Sequence, residues 1–365
     1  MRSQVYLLRI TDWKEIAPLT QPFGEFLRAT QLCDRAPEGA LAAIKLTFGE
    51  AGNQGHPPPP LVRALVEHLR ERDLQPFLTE TNTLYNGRRK NSVEHLQVAA
   101  EHGFTPDTIT APILLGDGLL GREQWDAPVT GRRLQRAHLV PTVRDAGFLV
   151  GLAHLTGHLL TGFGGAIKNI GMGLASRPGK LEMHSVVSPL VNAEACTLCR
   201  RCERACASGA LSMGERAAVV DGALCTGCAE CLAVCPTGAI GIDWSKDSVR
   251  VQELMAEYAL AVVQALEHRC VFVNLIHHVS KHCDCIGPTP ELIAPDVGIA
   301  ASCDPVALDQ ASLDLIRGQG GGDPILAAWP ETDPEAQIRH GEQIGLGSRA
   351  YELVEMGLSR NPSGR

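Results

Sequence analysis

The sequence predicts an α/β fold: a mostly parallel sheet with flanking helices, interrupted by a small cysteine-rich α+β unit. Three observations support this prediction. Strand-length apolar segments alternate with amphipathic helical segments between residues 4 and 152, the same alternation returns after residue 246, and eight of the thirteen cysteines lie between these two halves. We therefore expect an α/β domain made of residues 1–187 and 246–318, an inserted unit at 188–245, and a C-terminal helical appendage at 319–365.

The first half contains five predicted strands separated by helices. The strands are expected at 4–10, 41–48, 76–80, 113–116 and 147–152, and the helices at 20–31, 57–72 and 92–102. Four prolines, Pro57 to Pro60, open the second of these helices, where a missing amide proton costs nothing. Strands that alternate with helices favour a parallel sheet, whose ligands bind in loops at the carboxyl ends of its strands.

The second half resumes the pattern. A long helix is expected at 247–268, strands at 270–276 and 297–302, and a helix at 304–317. The strand at 270–276 is almost entirely apolar, which is typical of a strand buried on both faces of a sheet. Two short helices, at 335–342 and 350–358, are expected in the C-terminal appendage.

Eight cysteines form two identical C-x2-C-x2-C-x3-C runs. This is the spacing of bacterial ferredoxins, in which three thiolates hold one [4Fe-4S] cluster and the fourth cysteine ligates the other cluster. A pair of zinc sites is the alternative, but zinc does not need four cysteines at this spacing twice. The expected ligand sets are Cys196, Cys199, Cys202 and Cys235 for one cluster, and Cys225, Cys228, Cys231 and Cys206 for the other.

A glycine-rich segment precedes the cysteines. In it, Gly162, Gly164 and Gly165 predict a tight loop that leads into a helix and could offer backbone amides, together with Lys168, to an anionic cofactor. The segment matches neither standard phosphate-binding motif, and close packing of the backbone against a neighbouring unit is an equal alternative. His184 lies in the same stretch and is a second candidate catalytic side chain beside Lys168.

Cys283 and Cys285 form a second group of candidate residues directly after the apolar strand. They are expected at the carboxyl end of that strand, as catalytic residues or as metal ligands. One interpretation is a third cluster or a single metal ion, completed by Cys303 or a histidine; the others are a redox-active thiol and simple burial. The neighbouring histidines are His277, His278 and His282, and the cations Arg177, Lys180 and Lys281 would suit an anionic substrate if they converge. Cys33 and Cys270 are expected in the core.

Composition excludes several classes of protein. A formal net charge of −8 argues against a nucleic-acid surface, and the chain has neither a span of transmembrane length nor a signal peptide. Thirteen cysteines without an export signal predict reduced thiols that bind metal in the cytoplasm, not a disulfide framework. A redox partner protein or a small-molecule substrate is the expected partner, and a homodimer is compatible with the large α/β body.

Several further segments make the chain resemble the DUF362 family of uncharacterised iron–sulfur proteins. They are Lys45-Leu-Thr-Phe-Gly-Glu, Phe77-Leu-Thr-Glu-Thr-Asn-Thr-Leu-Tyr, Gly164-Gly-Ala-Ile-Lys-Asn-Ile-Gly-Met-Gly, Lys180-Leu-Glu-Met-His-Ser, Cys283-Asp-Cys285 and Asp304-Pro-Val-Ala-Leu-Asp-Gln-Ala. The resemblance implies an α/β domain surrounding a two-cluster ferredoxin module. It implies no particular reaction.

Three functions follow from these residues. The leading hypothesis is an iron–sulfur oxidoreductase, or its electron-transfer component, in which two [4Fe-4S] clusters relay electrons to a site in the α/β domain. The second is lyase or desulfurase chemistry at a third cluster or metal near Cys283 and Cys285. The third is a non-enzymatic electron carrier or redox sensor.

Overall fold

The computed structural model describes residues 2–10, 12–184, 188–242, 248–287 and 291–357. Its strands are β1 Ser3–Arg9, β2 Leu41–Lys45, β3 Gln75–Glu80, β4 Ile113–Leu115, β5 Trp125–Pro128, β6 Arg136–Leu139, β7 Phe148–His154, β8 Thr156–His158, β9 Gly162–Gly164, β10 Leu190–Val191, β11 Leu211–Met213, β12 Ala218–Val220, β13 Ile240–Gly241, β14 Cys270–Ile276, β15 Gly298–Ser302 and β16 Tyr351–Met356.

The helices connect these strands along the chain. They are α1 Thr20–Thr30, α2 Pro59–Arg70, α3 Ser92–Glu101, α4 Pro106–Ile109, α5 Pro141–Asp145, α6 Ala166–Gly171, α7 Arg177–His184, α8 Arg201–Ala205, α9 Glu230–Val234, α10 Ser248–Ala265, α11 Pro305–Arg317, α12 Pro324–Ala328 and α13 Ala336–Gln343, with 3-10 turns at Ala17–Leu19 and Leu32–Arg35. The predicted elements of both halves are found within a few residues of their expected bounds, apart from the last helix.

Eight strands form one sheet in the order β16-β1-β15-β14-β7-β2-β3-β4. Strands β14, β7, β2, β3 and β4 pair in parallel, and β1 pairs in parallel with β16. Strand β15 is antiparallel to both of its neighbours, β1 and β14. The sheet is therefore mostly parallel, as predicted, with one reversed strand near its centre.

Helices cover both faces of this sheet. In β14, Phe272 belongs to the hydrophobic core that includes α6, α10 and α11, whereas the adjacent Val273 belongs to the core that includes α1 and α2. All seven residues of β14 are buried, because successive side chains point to opposite faces and both faces are covered. The nearly all-apolar pattern of this strand thus correctly predicted that it is buried on both faces.

The C-terminal segment differs from its prediction. The helix expected at 350–358 is instead strand β16, which pairs with β1 at the edge of the large sheet; residue 358 lies outside the described residues. None of its side chains is fully buried, which suits an edge strand, and β1 would otherwise leave its backbone groups unpaired. Helix α13 packs against α10 and α11, so this segment is part of the α/β domain and the helical appendage was wrong.

The cysteine-rich segment, residues 188–242, has a small core of its own and two short antiparallel strand pairs, β10 with β13 and β11 with β12. Its internal repeat is visible in the backbone. Arg200 and Ala229, at equivalent positions before α8 and α9, both have left-handed φ values, of 60° and 59°. Gly209 and Gly238 repeat this equivalence, with φ values of 69° and 67°. The two halves therefore fold in the same way locally.

Candidate functional site

Polar side chains gather where the parallel strands end. Lys45 and Glu80 are the last residues of β2 and β3, His154 is the last of β7, and Asp284 lies in the loop after β14. All four line one cavity of about 580 Å³ at the carboxyl edge of the sheet. This is the edge at which α/β sheets bind their ligands, because the loops that follow parallel strands meet there.

A buried network joins the ends of β2 and β3. The Lys45 ammonium donates to the Glu80 carboxylate at 3.0 Å, to the Leu46 carbonyl at 2.9 Å and to the Asn169 side-chain oxygen at 3.0 Å. Burial lowers the pKa of Lys45, and the Glu80 carboxylate opposes that shift. Arg89 lies 3.8 Å from Glu80, so this carboxylate faces two cations. Glu50 also pairs with Arg89, so the two cations face two carboxylates, and removing one partner would leave a buried charge uncompensated.

A second buried ion pair links β7 to the loop after β14. His154 donates from Nδ1 to both Asp284 oxygens, each at 3.1 Å, and from Nε2 to the His277 carbonyl at 2.7 Å. Acceptors on both ring nitrogens favour the doubly protonated imidazolium. Burial disfavours this charge, but the Asp284 carboxylate and the carbonyl outweigh it and raise the pKa of His154.

Two lysines in the cavity have no carboxylate within ion-pair distance among the described residues. Lys180 donates to the Thr81 hydroxyl and to the Asn82 carbonyl, each at 2.6 Å, whereas the Lys168 ammonium group has no hydrogen bond or ion pair in that part of the chain. Burial lowers the pKa of each lysine to about 8. Burial and the two lysine charges together lower the pKa of His184, which also lines the cavity, to about 4.

The Asp309 carboxylate accepts hydrogen bonds from the backbone amides that were expected to bind an anion. The amides of Ala166 and Ile167, at the start of α6, donate to its carboxylate at 2.7 and 2.9 Å. A Cβ on Gly165 would lie 2.3 Å from this carboxylate, so only glycine permits the approach. Gly164 and Gly165 line the cavity, but Gly162 packs against Pro334 instead. These three glycines therefore serve close packing, which corrects their predicted role as an anion-binding amide loop.

Cys283 and Cys285 are joined by a disulfide, so in this form they are neither free thiols nor metal ligands. Both line the cavity, as their position after β14 predicted. Cys303 does not join them. Because β15 runs antiparallel to β14, the residue that follows β15 lies at the opposite edge of the sheet, near Cys270 and Cys33. The expected three-thiolate set of Cys283, Cys285 and Cys303 is therefore wrong.

The other candidates divide between the cavity and its surroundings. His277 is buried with its ring stacked on Trp13 at 4.1 Å, and Arg177 is buried beside Asp117. His278, His282 and Lys281 do not line the cavity, whereas Lys180 does. Cys33 and Cys270 are buried in the core as predicted. Among the described residues, no three His, Cys, Asp or Glu side chains are grouped to hold a single metal ion.

The eight ferredoxin-type cysteines lie around two separate small pockets. The first contains Cys196, Cys199, Cys202 and Cys235, and the second contains Cys206, Cys225, Cys228 and Cys231. Each pocket thus combines three cysteines of one run with the last cysteine of the other. Burial opposes ionisation of Cys206 and Cys235, but nearby hydroxyls and backbone amides outweigh it and lower the pKa of both thiols. The arrangement has the donor type and grouping that two iron–sulfur cubes require.

Both cysteine pockets adjoin the large cavity. In α7, Lys180 lines the cavity while its neighbour Leu181 lines the second cysteine pocket. Leu84 lines the cavity and packs in the same small core as Cys202 and Cys231. The cavity and the cysteine-rich segment therefore adjoin, and Ile242 at the end of that segment also lines the cavity.

The sequence interpretation missed several cavity residues. Lys45, Glu80 and His154 each stand at the end of a buried strand, where a polar residue after an apolar run is a signal for a site. Asp284 was overlooked between the two cysteines. His158 was also missed; its Nδ1 accepts the amides of Leu160 and Thr161, each at 3.1 Å, so the neutral ring carries its proton on Nε2.

A family model covers most of the chain, and the chain belongs to that family. The family is DUF362, a domain of unknown function, and its model matches residues 42–314. In fold, the chain is similar to the lactate racemase apoprotein from Thermoanaerobacterium thermosaccharolyticum, with 12% identity, a TM-score of 0.45, and coverage of 84% of this chain and 55% of that one.

A protein from Thermotoga maritima is also similar, with 9% identity, a TM-score of 0.39, and coverage of 89% of this chain and 58% of that one. The chain thus spans little more than half of either structure. A comparison with curated proteins finds no match. No helix in the described residues is both long and apolar enough to cross a lipid bilayer.

Proposed function

We propose that the protein is an iron–sulfur oxidoreductase, or the electron-transfer component of one, in which two [4Fe-4S] clusters deliver electrons to the large cavity. The observation that supports this most directly is the shared wall. Leu84 lines the cavity and belongs to the same hydrophobic core as Cys202 and Cys231, which supports electron transfer between the cysteine-rich segment and the cavity. Clusters held by four thiolates supply one-electron transfer. A non-enzymatic carrier would need no cavity of this kind beside its clusters.

The chain's own residues would prepare the cavity for chemistry. The Lys45–Glu80 pair and the His154–Asp284 pair hold the ends of four strands in fixed positions without leaving net charge. Lys168 and Lys180 supply positive charge, and with pKa values of about 8 they are able to give or accept a proton near neutral pH. Apolar side chains around them exclude water, which strengthens each electrostatic interaction inside the cavity.

A second role is favoured by the bond between Cys283 and Cys285 at the cavity wall. Two electrons and two protons would convert this disulfide into two thiols, with the relay as the one-electron reductant. Dithiol chemistry would then replace the third cluster as the function of the two cysteines. We expect alkylation followed by mass spectrometry to label two more thiols after anaerobic reduction than before it. Equal labelling would contradict this role.

The first test is the iron and sulfide content of anaerobically purified protein, compared with a Cys283→Ser/Cys285→Ser variant. We expect about eight irons per chain in both, because two cubes contain four irons each. About twelve irons in the wild type, with about four lost in the variant, would instead support a third cluster and the lyase or desulfurase alternative. No bound iron would refute the proposal.

A further inference from the structure

The charges around the large cavity do not balance. Its cations are Lys45, Arg89, His154, Lys168 and Lys180, and its carboxylates are Glu80 and Asp284. Glu80 pairs with Lys45 at 3.0 Å and Asp284 pairs with His154 at 3.1 Å, whereas Arg89 is also held by Glu50, at 3.4 Å. Among the described residues, Lys168 and Lys180 are left with no carboxylate within ion-pair distance, although Asp117, Glu80 and Asp284 act on them from further away. The described lining residues therefore carry surplus positive charge.

Gly164 makes room for the side chain of Lys168. A Cβ on Gly164 would lie 2.9 Å from the Lys168 Cδ, so the glycine allows the lysine side chain its position. Burial lowers the pKa of His158 well below its usual value, and the Lys168 charge lowers it further, which keeps the ring neutral. Its protonated Nε2 is a hydrogen-bond donor beside an ammonium group. Such a set of donors, none of them an acceptor, suits an anion.

The remaining wall of the cavity is apolar. Its members are Leu84, Leu159, Met172, Ile242, Val251, Met255 and Ile286. The volume of about 580 Å³ matches that of small-molecule sites, which run from roughly 300 to 1,000 Å³. The helix amides that commonly hold phosphate are occupied by Asp309. The cavity is thus better suited to a charged head on an apolar body than to a phosphate.

We propose that this cavity binds a small organic carboxylate with an apolar body, and that Lys168, Lys180 and His158 receive its carboxylate group. The inference rests on the proposed function in naming a substrate class for the same site. It does not depend on bound clusters, because Lys168, Lys180 and His158 belong to the α/β domain, and Ile242 is the one named wall residue from the cysteine-rich segment.

The test is isothermal titration of the full-length, anaerobically purified protein with three probes: hexanoate, 1-hexanol and inorganic phosphate. Hexanoate and hexanol share an apolar chain and differ in the charged group. We expect saturable binding of hexanoate at millimolar concentrations, and binding of hexanol and of phosphate that is at least roughly tenfold weaker. Hexanol that binds as tightly as hexanoate, phosphate that binds more tightly, or no hexanoate binding at all would overturn the proposal.

A pair of variants assigns the binding to the lysine. Lys168→Met should weaken hexanoate binding roughly 10- to 100-fold, which is the value of one charge-assisted hydrogen bond. Lys281→Met is the matched control, because Lys281 lies over the Trp329 ring and does not line the cavity. We expect its hexanoate affinity to equal that of the wild type. Equal losses in both variants, or none in Lys168→Met, would overturn the assignment.

The pH dependence gives an independent readout. Since the lysine pKa values are about 8 and a carboxylate is ionised above about pH 6, hexanoate affinity should be constant from about pH 6 to about pH 8 and fall as the lysines lose their protons at higher pH. A flat profile to pH 10 would contradict the assignment. Iron analysis of the same sample separates the two proposals: iron without hexanoate binding refutes only the substrate class, and hexanoate binding without iron refutes only the relay.

Discussion

Cys235 gives the sharpest test of how the cysteines are arranged. Along the chain it follows Cys231, yet its side chain lines the pocket of Cys196, Cys199 and Cys202. We therefore expect Cys235→Ser to disrupt the cluster of the first run and to leave the second pocket complete. Iron should fall from about eight to about four per chain, because one of two four-iron cubes is lost.

Double substitutions distinguish the two pockets by the iron that each variant retains. Cys199 and Cys235 line the same pocket, so Cys199→Ser/Cys235→Ser should still retain about four irons. Cys228 lines the other pocket, so Cys228→Ser/Cys235→Ser should retain almost none. Iron and sulfide analysis, together with electron paramagnetic resonance of the reduced protein, measures both. Cys303→Ser is the control and should retain about eight irons, because Cys303 lies at the opposite edge of the large sheet.

The reverse result would refute this reasoning. If Cys228→Ser/Cys235→Ser kept about four irons and Cys199→Ser/Cys235→Ser lost them all, each run would hold its own cluster without crossing. Loss of all iron in Cys235→Ser alone, with an unchanged circular dichroism spectrum, would show that the two pockets do not bind their clusters independently.

Two further predictions concern the stability of the cavity walls. Asp284→Asn should lower the free energy of unfolding by about 3–5 kcal/mol, measured by urea denaturation at pH 6, because it leaves the buried His154 charge without its partner. Because the pKa of His154 is raised, the stabilisation that the His154–Asp284 pair provides is present below about pH 6.5 and is lost as the pH rises through the folded-state pKa. This pH dependence of stability should vanish in Asp284→Asn. A pH dependence that persists in the variant would contradict the assignment. Gly165→Ala should cost about 1–3 kcal/mol, because the new Cβ would meet the Asp309 carboxylate. Gly357→Ala is its control, because no heavy atom of the described residues lies within 4 Å of the Cβ that it would add. Its free energy of unfolding should stay within about 0.5 kcal/mol of the wild type. Equal losses of stability in the two variants would show that the contact with Asp309 is unimportant.

Local patterns in the sequence were enough to predict most of the elements. The apolar run at β14, the prolines that open α2 and the repeated cysteine spacing each depend on neighbours within a few residues. They predicted strands, helices and a paired cysteine unit, and they located Cys283 and Cys285 at the end of a buried strand. Such signals are local because helix and strand periodicity places side chains on one face within a few positions.

Strand direction and side-chain pairing were decided only by the tertiary structure. Nothing in residues 298–302 shows that β15 runs against its neighbours, yet that reversal removes Cys303 from the cavity. Whether residues 351–356 form a helix or an edge strand depends on β1, more than 300 positions away. Likewise, the Ala166 amide after the glycine loop donates to Asp309, which lies on a helix distant in sequence. The sequence by itself identified the cysteines and Lys168 as candidate residues. Long-range pairing determined which side chains meet, because hydrogen bonds and ion pairs between distant segments form only when the chain is folded.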